Sequence, residues 1–322
     1  MNILEFRQQM NEWGQAKVPF LFIVDFEMGK PILLKLTDID KSEILFDVNG
    51  FSNTKSTLTK SNVSLSTFPI SFEEYKKKFN KVFHHLSYGD SFLTNLTVKT
   101  RIETNNSLRQ LFESSNAKYK ILYKDEFLVF SPESFVQIKE GFIHSYPMKG
   151  TIDAAIPDAE SIILNSEKEL AEHITIVDLI RSDLSRVAAS VDVKRFRYVD
   201  EIRTHEKNLL QVSSEITGKL PADYQNHLGD ILLQLLPAGS ITGAPKPKTI
   251  EVIHETEQEK RGYFTGVFGY FDGTILDSGV MIRYIEREGD QFVYRSGGGV
   301  TTRSKAESEY REVLDKIYVP VD

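Results

Sequence analysis

Lys149 lies in Tyr146-Pro147-Met148-Lys149-Gly150-Thr151, sixteen residues after Glu133 in Ser131-Pro132-Glu133. A lysine held neutral is a nucleophile, and a carboxyl kept protonated is a general acid. Further along, Glu167-Lys168-Glu169-Leu170-Ala171-Glu172-His173 places Glu169 and Glu172 three residues apart, and Glu309 and Glu312 repeat that spacing near the end of the chain. Carboxylates at this spacing share one face of a helix. Mg²⁺ is a hard ion that takes oxygen ligands and usually keeps some waters. Either pair alone is the pattern of a solvated helix face. Taken together, the pairs read as a four-carboxylate nest for Mg²⁺, with Lys149 and Glu133 as nucleophile and acid. His173 either hydrogen-bonds a substrate or is an ordinary satisfied helix histidine.

Two glycine-rich segments offer places for an anion. Pro237-Ala238-Gly239-Ser240-Ile241-Thr242-Gly243-Ala244-Pro245-Lys246 precedes a helical stretch and can present backbone N–H groups and a hydroxyl. Its spacing is not that of a Walker A loop. Ser296-Gly297-Gly298-Gly299-Val300 follows a strand, and its glycines allow a ligand to approach the backbone closely or simply form a bulge. Arg283, within the apolar run Val280-Met281-Ile282-Arg283-Tyr284, reads as an arginine inside a strand that needs a partner. A substrate carboxylate and a structural salt bridge both satisfy it. The chain contains no His-Glu-x-x-His and no Gly-x-Ser-x-Gly elbow.

These residues must be positioned by a large core. The chain has 322 residues, 40% hydrophobic and 26% charged, with a net charge of −7 and no cysteine. Disulfides, thiolate nucleophiles and Cys-ligated zinc are thereby excluded. The absence of a basic tract argues against nucleic acid as a partner. No apolar run approaches the roughly 20 residues that span a bilayer, and no signal peptide is read, so a cytoplasmic location and no membrane partner are expected. Apolar periodicity predicts strands at 20–26, 32–37, 92–103 and 209–220, short strands through 119–146, and three consecutive antiparallel strands at 263–272, 279–287 and 292–296. Helices are predicted from Phe72 to Gly89, over 167–189 and over 305–318. Runs of strands separated by helices indicate an α+β fold, read as one domain over 1–322 with a shortened N-terminal portion to about residue 70.

The combination of motifs resembles the chorismate-utilising enzymes from about Ser71 to the C-terminus. The pieces that carry the likeness are Glu169–His173, Asp178-Leu179-Ile180-Arg181-Ser182-Asp183-Leu184, Gly239–Lys246, Ile282-Arg283, Gly297–Gly299 and Glu309–Lys316. The resemblance implies two mixed or antiparallel sheets packed as a sandwich with flanking helices. Within the family, anthranilate-forming members carry a small residue at the position of Lys149. Isochorismate- and salicylate-forming members place a lysine base at the position of Leu93. A lysine at 149 and a leucine at 93 resemble the aminodeoxychorismate-forming branch.

That branch implies the following chemistry. Mg²⁺ held by Glu169, Glu172, Glu309 and Glu312 engages the ring carboxylate of chorismate. Lys149 attacks ring C2, Glu133 protonates the departing C4 hydroxyl, and ammonia then adds at C4. Thr151, His173, Thr242, Gly243, Arg283, Gly298, Gly299 and Lys316 are the implied substrate-binding residues. Ammonia would come from a separate glutaminase subunit, because a chain without cysteine cannot carry a cysteine-based amidotransferase. Ser182, Ser185, Tyr284 and Phe264 depart from the family's pattern, and no segment resembling the tryptophan-binding motif of anthranilate synthases is found. Anthranilate formation and a non-catalytic chorismate-binding homologue are the rival readings.

Overall fold

The computed structural model describes residues 1–54, 63–203 and 208–321. Two nine-stranded sheets, antiparallel throughout, dominate it. The first runs in the order β11 (Met148–Asp153), β13 (Asn208–Lys219), β10 (Phe142–Ser145), β9 (Ser134–Lys139), β16 (Leu276–Val280), β15 (Val267–Phe271), β1 (Phe20–Val24) and β2 (Ile32–Lys35). β12 (Ala189–Arg203) pairs with β13 outside that path. The second runs β14 (Gly243–Ala244), β6 (Leu93–Thr104), β18 (Gln291–Val300), β17 (Tyr284–Glu288), β8 (Phe127–Ser131), β7 (Tyr119–Tyr123), β3 (Ile44–Val48) and β4 (Phe51–Ser52), with β5 (Leu65–Phe68) on β6.

β1 explains the layering. Its sequence Phe-Leu-Phe-Ile-Val is apolar throughout because both faces are buried. Leu21 and Ile23 pack toward β3, β7 and β8 of the other sheet, forming the sandwich core. Phe20, Phe22 and Val24 face outward under α1 (Ile3–Gln15), α5 (Glu167–Leu184) and α6 (Leu228–Leu235). On the second sheet, α3 (Leu108–Ser114) covers one region, and α2 (Phe72–Tyr88), α7 (Lys246–Glu257) and α8 (Ala306–Asp315) cover the region around β6 and β18. α4 (Ala159–Asn165) packs beside β11 and α5. Among the described residues no helix is long and apolar enough to cross a membrane.

The expected α+β sandwich is therefore the observed fold. The expected run of three consecutive strands near the C-terminus is corrected. The stretch 279–287 is two strands, β16 in the first sheet and β17 in the second. The chain breaks at Arg283, which adopts φ +54. A continuous strand cannot join two stacked sheets, so the crossover needs one residue outside the extended region. Arg283 thus stands at a junction and not inside a strand.

Candidate active site

The crossover opens a cleft of about 500 Å³ at the rim of the sandwich, lined from both sheets. Lys149 and Glu133 come from the first sheet and its loops, Asn95 and Ser296 to Gly299 from the second, and Lys316 from the end of α8. Ser240, Ile241, Phe264, Thr265, Ile282, Arg283 and Arg295 complete the wall.

Local irregularity aims Lys149. In the pairing of β11 with β13, Met148 faces Ser213 and Thr151 faces Gln211, so Lys149 and Gly150 together oppose Val212. This is a β-bulge, with Gly150 at φ +84, and bulges re-aim side chains. The Lys149 Nζ reaches to 3.9 Å from where a Cβ on Gly299 would stand. Leu93 approaches the same point, with its Cδ1 at 3.0 Å. The Lys149 amine and the buried Leu93 thus both lie over Gly299, which carries no side chain, and of the two only Lys149 lines the cleft. Thr151, one residue beyond the bulge, is exposed and does not line the cleft.

Glu133 sits in the short link between β8 and β9, held by its backbone: its N–H donates to Ser131 Oγ (3.1 Å) and its carbonyl accepts from Val280 N–H (3.1 Å). It also borders a second cavity of about 380 Å³ whose lining includes Phe135, Val136, Ile180, Leu184 and Leu235. Ser240 borders both spaces.

The floor is cationic. The Nε of Arg283 is buried without a hydrogen-bond partner among the described residues, while the guanidinium lies 5.4 Å from the centre of the Tyr318 ring. Ser296 Oγ is likewise buried and unpartnered. Lys316 donates to the Gly297 carbonyl (2.9 Å) and to Glu312 (2.6 Å). Burial, opposed by Glu312 and aided by Arg283 and Lys149, pulls its pKa down from the usual lysine value. An orphan guanidinium donor beside two lysines is a site for an anion, because an unmade charged hydrogen bond in a buried place is costly.

The carboxylate pairs lie at two edges of this space. Positions that a Cβ on Gly298 would occupy are 3.4 Å from Glu312 and 3.5 Å from Glu309, and one on Gly150 would be 3.0 Å from Glu169. Among the described residues, no three His, Asp or Glu side chains converge closely enough to hold an ion by themselves. The nest of Glu169, Glu172, Glu309 and Glu312 expected from the sequence is thus not assembled as one cluster. Its halves ride on helices packed against different sheets, α5 beside β11 and α8 beside β18, and like charges repel. The donor set still fits Mg²⁺: it is all oxygen, Glu309 is 3% exposed, and the ion needs only part of its shell from protein. Burial, together with Glu309 and Glu312, pushes the Tyr75 hydroxyl well above its usual pKa.

His173 is fully buried on α5, with Nε2 2.7 Å from Ser214 Oγ and Nδ1 without a hydrogen-bond partner among the described residues. Burial, Arg197 and Lys149 hold its pKa down at about 4, so the ring is neutral near pH 7. It lies beside Lys149 but is not part of the cleft lining. Thr242 and Gly243 are also set back from it. The Thr242 hydroxyl donates to the Ala238 carbonyl (2.8 Å), and Gly243, at φ +124, crosses so near Leu93 that a Cβ would meet its carbonyl oxygen at 1.8 Å. Ser240 and Ile241 supply the lining that the sequence suggested for Thr242 and Gly243. The two motifs Asp178–Leu184 and Gly239–Lys246 bind each other: Lys246 meets Asp183 at 2.6 Å and donates to the Leu235 carbonyl. Burial pushes the Asp183 carboxyl up and the Lys246 ammonium down. Of the departures, only Phe264 lines the cleft; Ser182 is exposed and Tyr284 lies buried behind it. Sequence reasoning missed Asn95, Thr265 and Arg295, for which a single sequence offers no motif.

The comparison with known proteins decides the family. Residues 33–322 match the chorismate binding enzymes. The chain belongs to that family. It is 47% identical to an uncharacterized PabA-like protein of Haemophilus influenzae, over 98% of this chain and 97% of that one. It is 34% identical to aminodeoxychorismate synthase component 1 of Klebsiella aerogenes over 77% of this chain, and spans 57% of that relative's length. The solved anthranilate synthase component I from Streptococcus pneumoniae superposes with TM-score 0.66 at 26% identity, covering 81% of this chain and 60% of that one. The family thus includes relatives of both aminating kinds.

Proposed function

We propose that this chain aminates chorismate at C4, forming 4-amino-4-deoxychorismate by way of a covalent lysine adduct. The observation that carries the reading is Lys149, turned by the bulge at Gly150 toward Gly299 in a cleft that also holds Glu133 and Arg283, whose buried Nε has no hydrogen-bond partner among the described residues. Arg283 and Lys316 bind the carboxylates of the substrate. The Lys149 amine nitrogen forms a bond to ring C2 as the C4–O bond breaks. Glu133 gives its proton to the departing hydroxyl, which leaves as water. Ammonia then bonds to C4, and the electrons return through the ring to release Lys149 from C2. Glu309, Glu312, Glu169 and Glu172 would hold Mg²⁺, which supplies Lewis-acid charge at the ring carboxylate when bound. A glutaminase subunit supplies the ammonia, and free ammonium replaces it in vitro.

A lysine at 149 opposes the anthranilate reading, and the positions of Ser182 and Tyr284 away from the cleft weaken the non-catalytic one. The deciding experiment incubates the chain with chorismate, ammonium and Mg²⁺ and identifies the product by mass and chromatography. Aminodeoxychorismate, together with a Lys149 adduct when ammonium is withheld, supports the proposal. Fluorescent anthranilate, or no turnover, refutes it.

A further inference from the structure

Arg261 has no place in the chemistry, yet it touches three segments of the cleft wall. It is 1% exposed, in the loop between α7 and β15. A guanidinium carries five N–H donors in a planar fork, and all five are used. Nε donates to Glu257 Oε2 at 2.9 Å and Nη2 to Glu257 Oε1 at 2.6 Å. The second Nη2 hydrogen goes to the Asn95 carbonyl at 2.7 Å. Nη1 donates to the Ile241 carbonyl at 3.1 Å and to Thr265 Oγ1 at 3.4 Å. Asn95, Ile241 and Thr265 all line the cleft and come from three parts of the chain far apart in sequence.

The carboxylate is fixed in turn. Glu257 Oε1 also accepts the Thr97 N–H and hydroxyl, each at 2.9 Å, so the pair is anchored to β6. Thr265 shows why a clamp is needed. A β-branched residue at φ +61 is in a region that such side chains avoid. Its N–H donates to the Met281 carbonyl and its hydroxyl to the Phe264 carbonyl, while the same oxygen accepts from Arg261. Strained backbone next to a cleft persists only when surrounding bonds over-determine it.

We infer that Arg261 is a positioning residue: its guanidinium fan sets the spacing of the Asn95, Ile241 and Thr265 segments and so shapes the substrate cleft. This rests on reading that cleft as the chorismate site. A lysine retains a charge beside Glu257 but cannot fan to three acceptors. The test uses the Arg261→Lys chain. It is expected to keep its far-ultraviolet circular dichroism. Amide exchange should quicken together in 93–97, 239–243 and 263–266, with wild-type protection elsewhere. The KM for chorismate should rise about 10- to 100-fold, since misplaced binding walls act at that scale, with kcat within a few-fold of wild type. Thr265→Gly separates positioning from stability. It relieves the left-handed backbone and removes one clamp contact, so KM should rise without a fall in Tm. The inference is overturned if exchange in the three segments is unchanged, if it quickens evenly across the protein, or if KM follows Tm in both variants. Exchange needs no substrate. If the wild-type chain fails to convert chorismate, the proposed function falls while the clamp is still decided.

Discussion

Replacing Gly150 by alanine tests whether the bulge is what aims Lys149. Gly150 sits at φ +84, where an L-residue costs about 1–2 kcal/mol. The new methyl would meet Glu169 Oε2 at 3.0 Å and the buried Ile163 at 3.3 and 3.4 Å. The glutamate tip can swing aside, but Ile163 sits in a packed place, and crowding it adds on the order of 1 kcal/mol. The protein has two responses to a load of about 2–3 kcal/mol. If it keeps the bulge, it is merely less stable. If it expels the extra residue, β11 slips by one position and Lys149 turns to the opposite face of the sheet. We expect the second response to dominate at the site, with kcat lowered about 100-fold, as a misplacement of about 1 Å can do. Steady-state kinetics at saturating chorismate, ammonium and Mg²⁺ would be set beside urea unfolding. A protein destabilised by 2–3 kcal/mol with unchanged kcat refutes the reasoning. So does a loss cured entirely by more Mg²⁺, which would place the effect on Glu169.

Three further outcomes are expected. His173 titrates at about 4 in the fold against 6.5 when free, so the native state binds fewer protons between those values; stability is intact above pH 6.5 and falls by about 3 kcal/mol as pH drops toward 4. Urea midpoints of wild type and His173→Gln across that range should diverge, and parallel curves would count against it. Gly243→Ala forces a methyl against the Leu93 carbonyl oxygen and should cost more than about 3 kcal/mol or abolish folding, read by thermal unfolding. Arg283→Gln removes the charged donor and should raise the KM for chorismate about 10- to 100-fold, the equivalent of about 1.5–3 kcal/mol for a charged hydrogen bond, while unfolding midpoints stay close to wild type.

Elements with a clean local signal were legible in the sequence. α2 has an apolar stripe, Ser71 with Glu74 as a capping box, and Gly89 at φ 92 to end it. β1 has an unbroken apolar run. β12 was not legible, and the reason is physical. Among the described residues it pairs only with β13, so as an edge strand it carries charged residues. Three register shifts, with Ser190 and Arg197 at positive φ, erase its alternation. In the site, Lys149, Glu133, Arg283, Gly298, Gly299 and Lys316 come together as their motifs suggested. Thr242 and Gly243 do not reach the lining, because a glycine-rich turn serves close backbone crossing as readily as ligand approach, and Thr151 misses it because it lies just past the bulge and is exposed. Arg261 left little trace in sequence: its Glu257 partner reads as an ordinary i,i+4 pair, and its links to the Asn95 and Ile241 segments go to backbone carbonyls, which every residue possesses.

The junction at Arg283 also bears on how the protein comes to be active. The cleft draws on Asn95, Glu133, Lys149, Ser240, Arg283 and Lys316, so assembling it brings together parts of the chain up to about 220 residues apart. Closing such loops is a slow, entropically costly part of folding. Neither sheet alone holds the amine together with the arginine and the last lysine. Chorismate binding should therefore return only when both sheets have docked, after most of the secondary structure has regained its signal, which makes ligand affinity a late clock for folding in this chain.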